Sequence, residues 1–182
     1  SAGHGGGIYI KSCRMDMLSG SVTGNQVTAP HASGGGVYVD EYAGFTMGSG
    51  VKIEDNTAAN SGGGICISGG TPASDFTMEG GEIKGNSALN GGGIASTGVG
   101  CFEILGGEIS GNSASADGGG IYISFGFTRD VSKLISGCTI SENSAVNYGG
   151  GIFLQGNSFI DVELCSDKIE DNSALDGGGV YV

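Results

Sequence analysis

A Gly-Gly-Gly-[Ile/Val] block opens at Gly5, Gly34, Gly62, Gly91, Gly118, Gly149 and Gly177, a mean period of about 28.7 residues. A second block, [Ile/Val]-x-x-Asn, closes at Asn25, Asn56, Asn86, Asn112, Asn143 and Asn172 and keeps the same period. Two independent markers in step make the chain a tandem array, so any fold must repeat the same local geometry. The 40 glycines among 182 residues are clustered, which argues against a flexible linker. Collagen is excluded because glycine does not fall at every third position and there are only 2 prolines.

Within each unit the apolar period is two. Ile8-Tyr9-Ile10, Val37-Tyr38-Val39, Ile65-Cys66-Ile67, Ile121-Tyr122-Ile123, Ile152-Phe153-Leu154 and Val180-Tyr181-Val182 follow the glycines. Such alternation marks short strands with one buried face. A second strand reads at Phe45-Thr46-Met47, Phe76-Thr77-Met78 and Phe102-Glu103-Ile104, and a third at Val51-Lys52-Ile53, Glu82-Ile83-Lys84 and Glu108-Ile109-Ser110. Gly, Ser, Asn and Asp fill the junctions. No segment carries a helical stripe. Three short strands cannot close a core alone, but stacked units can, with strands of successive rungs pairing in parallel about 4.8 Å apart. The expected fold is all-β: a right-handed parallel β-helix of about six rungs, three strands each, its hand taken from the crossover rule. Residues 1–182 form one such domain. Ser1-Ala2 matches the Ser-Ala that follows Asn86, Asn112, Asn143 and Asn172, and Val182 ends on a glycine-following strand. A segment of a longer solenoid, or one that stacks end to end with copies of itself, is therefore expected.

Gly-Gly-Gly-Ile and Ile83-Lys84-Gly85-Asn86-Ser87-Ala88 resemble the repeats of polymorphic outer-membrane proteins. That family carries Gly-Gly-Ala-[Ile/Leu/Val] and Phe-x-x-Asn motifs on β-helical passenger regions at bacterial surfaces. The resemblance covers essentially the whole chain, with glycine for the family's alanine and Ile or Val for its Phe. It implies the fold and an extracellular, cell-surface location. Related repeats occur in adhesin-like proteins of anaerobes, and pectate-lyase-like enzymes share the architecture.

Each recurrent residue has a structural and a functional reading. Asn25, Asn56, Asn86, Asn112, Asn143 and Asn172 suit an inter-rung ladder, because an amide can donate to one rung and accept from the next. A ligand-binding row is the other reading. The glycine triplets suit a corner with positive φ, and a phosphate loop would need a following helix that the pattern lacks. The middle residues of the glycine-following strands point outward: Tyr9, Tyr38, Tyr122, Phe153 and Tyr181, interrupted by Cys66 and Ala95. This column either stacks on itself or binds a glycan or partner protein. Lys52 should neighbour Glu82, and Glu54 should neighbour Lys84, as solvated pairs worth about 0–1 kcal/mol each.

Asp55, Asp161, Asp167 and Asp171 are candidates for calcium or acid/base chemistry, but Asp55 and Asp171 recur at one turn. Arg129-Asp130 sits in the longest spacer, where loop-borne function would be carried. Five cysteines without CxxC spacing argue against zinc, and Cys138 with Cys165 could form one bridge. His4 and His31 lie before successive triplets and could pair on a metal, although exposed turn histidines fit as well. No cofactor or metal is implied by these patterns. The net charge of −12 argues against nucleic acid, and no run reaches the ~18 apolar residues of a membrane span. The reading is a noncatalytic structural and adhesive solenoid whose partners are a glycan, a surface protein, or further rungs. The alternative is a β-helical polysaccharide lyase or hydrolase.

Overall fold

The computed structural model describes residues 3–68, 74–97, 100–124, 133–156, 162–165 and 167–182. They form parallel strands only, without a helix among the described residues, and no helix is long and apolar enough to cross a membrane. Seven glycine-following strands stack into one sheet, from Ile8–Ile10 to Val180–Tyr181. The second and third strands form a ten-stranded sheet. In the first two rungs they run together as single strands, Arg14–Thr23 and Gly44–Glu54. Later rungs divide them into two strands, with a positive-φ glycine beside the break at Gly81, Gly107 and Gly137.

A third sheet was not read from the sequence. Gln26–Val27, Thr57–Ala58, Ser87–Ala88, Ser113–Ala114 and Ser144–Ala145 are two-residue strands that follow the first five asparagines and pair in parallel. Two residues are too few for alternation to register, so only the stacking reveals them.

Register puts like over like. Ile94 aligns with Ile65 and Ile121, and Ile83 aligns with Ile53 and Ile109. Phe45, Phe76 and Phe102 form an interior column with ring centroids 6.1 and 5.6 Å apart. Each is fully buried, as are Met47, Met78 and Ile104 beside them. Burying one such side chain contributes roughly 1.5–3 kcal/mol, so each rung supplies a slice of one continuous core. The outer surfaces of these sheets, and the corners between them, are where a partner would meet the chain.

Candidate functional site

Two residues link every third strand to the Ser-Ala strand in the first five rungs: 24–25, 55–56, 85–86, 111–112 and 142–143. The first of each pair holds a left-handed backbone, φ between 55° and 68° at Gly24, Asp55, Gly85, Gly111 and Glu142. The second is the asparagine. Its side-chain amide donates to the next asparagine Oδ1, from Asn25 to Asn56 at 3.1 Å and on to Asn172 from Asn143 at 3.0 Å. The same Oδ1 accepts the preceding asparagine's backbone N–H, as from Asn86 to Asn112 at 2.9 Å. The remaining amide hydrogen goes to a carbonyl of the previous rung, as from Asn112 to Ile83 at 2.9 Å. Asn56, Asn86, Asn112 and Asn143 are fully buried, so these bonds form away from competing water.

The acids at this corner do not converge. Asp55 and Asp171 are exposed left-handed residues at the same corner, four rungs apart. Asp167 instead accepts the backbone N–H groups of Cys138 and Cys165, at 3.0 and 3.1 Å. Asp161, Arg129 and Asp130 lie outside the described residues. Among the described residues no three His, Cys, Asp or Glu side chains group as metal ligands. His4 accepts the Ser33 N–H at Nδ1, 3.2 Å, while His31 is an exposed turn residue with φ 66°. All five cysteines are free thiols; burial pushes Cys66 up to about 12, and burial beside Asp167 pushes Cys138 up to about 12. Lys52 bonds Glu82 at 2.9 Å, Glu54 aligns with Lys84, and Glu82 aligns with Glu108.

The glycine triplets shape the outward aromatic column. A Cβ on Gly63, the second of its triplet, would come within 2.5 Å of backbone atoms of Gly92 and Ser87. Only glycine fits where the glycine-following strand meets the Ser-Ala sheet. The first glycine turns the chain back: Gly34 has φ 72°, and a Cβ there would lie 2.7 Å from the Tyr38 Cβ. The residue before each triplet thereby lands on the outer face. His4 stacks on Tyr38 with centroids 4.4 Å apart, and Tyr148 packs on Tyr181 at 4.6 Å.

The column points away from the interior but is largely covered. Tyr38 and Phe153 are buried, Tyr122 and Tyr181 half-buried, and Tyr9 retains 47% exposure. Tyr9 stacks on Tyr38 at 5.5 Å, and Tyr122, Phe153 and Tyr181 stack at 5.1 and 5.5 Å. Cys66 and Ala95 separate the two groups, and both are buried. Each ring of a stack has at least one face taken by a neighbouring ring, so a ligand meets chiefly ring edges, hydroxyls and the outer face of a terminal ring such as Tyr9.

The corner between the first and second strands differs in kind. Its length runs 3, 4, 7, 5, 8 and 6 residues along the chain. In its first two rungs it gathers polar groups that the sequence reading did not connect. The Tyr9 hydroxyl donates to the Asp40 carboxylate, which also accepts from the Lys11 ammonium at 3.1 Å. That hydrogen bond, with burial and the carboxylate's charge, raises the Tyr9 phenol to about 12. Burial alone would raise Asp40, but the bonds from Tyr9, the Glu41 backbone and Lys11 outweigh it and lower its pKa. Nearby, Arg14 reaches over Gly44 to Asp75 at 2.6 Å. The variable corner length was the available signal.

The chain matches the family model described as "Right handed beta helix region" over residues 3–182. No curated protein and no solved structure matches it.

Proposed function

The chain belongs to the right-handed β-helix family, and we propose that it is a noncatalytic adhesive and structural solenoid displayed outside a microbial cell. One observation carries this reading: the recurrent polar and aromatic side chains bond to their own copies in the next rung. The six asparagines run as one hydrogen-bonded line, and the aromatics pack as two stacks. Residues committed to stacking build a stiff rod, and a stiff rod presents its repeated surface groups multivalently to a glycan or surface protein. The resemblance to polymorphic outer-membrane and adhesin-like repeats supports the surface location. Further rungs, of this chain or of a copy, would extend the same columns in register. The acidic balance disfavours nucleic acid as a partner.

A glycan and protein binding array, run beside a polysaccharide turnover assay, tests the proposal. Binding without release of reducing or unsaturated sugars is expected, weakened by Tyr9→Ser together with Tyr122→Ser. Sugar release that a single acidic substitution abolishes would move the assignment to a β-helical lyase or hydrolase.

A further inference from the structure

We propose that the corner formed by Tyr9, Lys11, Asp40, Glu41 and Tyr42 is the glycan-binding site, and that it takes an uncharged sugar bearing adjacent hydroxyls. This deepens the adhesive reading and rests on it. Three observations converge on these residues. Tyr42 is 63% exposed and joins none of the ring stacks among the described residues, so its ring is open to a ligand. The tyrosines of the outward column, by contrast, each have a neighbouring ring against at least one face. An open tyrosine ring offers the apolar platform on which the C–H face of a pyranose packs.

Tyr42 also holds φ 59°, a left-handed conformation that disfavours a bulky side chain. Ser12, in the preceding rung's corner, has φ 54° and donates its N–H to the Glu41 carbonyl at 3.1 Å. The stacked corners hold this shape without glycine at either position. A strained residue kept on an exposed corner is a recurrent mark of a functional position.

The polar groups beside it are already arranged. Asp40, its carboxylate largely covered, accepts from Tyr9 and Lys11 at one oxygen and holds the Lys11 donor at 3.1 Å, while Glu41, half exposed, is the open acceptor beside it. An acceptor and a donor side by side match two neighbouring sugar hydroxyls, each of which both donates and accepts. Lys11 also lies 4.0 Å from Glu41, so one ammonium faces two carboxylates. That balance repels uronic acids and leaves neutral sugars as the fitting class.

The test is direct binding of glucan, mannan and xylan oligosaccharides to the full chain, with polygalacturonate as the charged comparison. Tyr42→Gly and Asp40→Asn are expected to weaken neutral-glycan binding at least tenfold, with Val146→Ser, at an exposed position outside this corner, close to the parent. Glycine relaxes the left-handed backbone, so Tyr42→Gly should melt at or above the parent temperature, which separates lost binding from lost fold. Neutral-glycan binding that survives Tyr42→Gly but fails in Tyr122→Ser overturns this site and leaves the adhesive reading standing. Tighter binding of polygalacturonate than of any neutral glycan overturns the sugar class. Failure of the parent to bind any of these glycans overturns the site outright, while retained protein binding on the array would keep the adhesive reading.

Discussion

Two of the corners in each rung obey opposite rules. The asparagine corner spends two residues in each of the first five rungs, one left-handed and one asparagine, whose amide is buried from Asn56 to Asn143. The first corner uses three to eight residues, and its described groups in the first two rungs include the exposed Tyr42 and the half-exposed Lys11. The difference follows from where hydrogen bonds go. An asparagine inside the stack serves three partners in two neighbouring rungs, so its corner cannot change length without orphaning them. In the first two rungs the first corner is exposed at Lys11, Ser12, Cys13, Glu41 and Tyr42, so water can satisfy polar groups there. One corner is therefore scaffold, and the other is free to vary.

The sharpest test inserts the same Gly-Gly pair at each. Between Gly111 and Asn112 it displaces the asparagine and leaves several buried groups unpaired, an expected loss above about 4 kcal/mol. Between Glu41 and Tyr42 the loop-closure cost is about 0.6 kcal/mol or less. Guanidinium unfolding midpoints read both, and equal losses would erase the distinction. Within the asparagine corner, Asn112→Ala should cost roughly 1–3 kcal/mol, since the amide partners of Asn86 and Ile83 are removed inside the stack. A variant that melts with the parent would show that the line of amides does not stabilise that rung.

The smallest effect runs the other way. Glu142 holds φ 57° at a position where other rungs have Gly24, Gly85 and Gly111. Glu142→Gly should raise stability by roughly 0.5–1 kcal/mol, because a side chain in the left-handed region costs more than glycine's extra unfolded freedom. A lower melting temperature would mean that the Glu142 side chain contributes something beyond backbone geometry.

Much of this architecture was legible before any coordinates. The glycine and asparagine markers set the repeat, and alternation separated inward Ile65 and Ile67 from outward Cys66. Alternation states which way a side chain points, not what lies over it. Tyr38 and Phe153 point outward and are buried all the same, because the first glycine of each triplet returns the chain across that face. The Ser-Ala strands were invisible for a related reason: two residues have no period.

The sequence by itself determined the solenoid, the repeat length, the core columns and the phase of every asparagine, because each is a local pattern copied along the chain. Only the tertiary structure decided which outward groups stay accessible and which distant residues share a corner. Tyr9 and Lys11 meet Asp40 across 31 and 29 residues, and Arg14 finds Asp75 across 61. Those meetings depend on how far the chain travels before it closes a turn. A repeat motif records the stacking that all rungs share, and it carries no record of contacts made once.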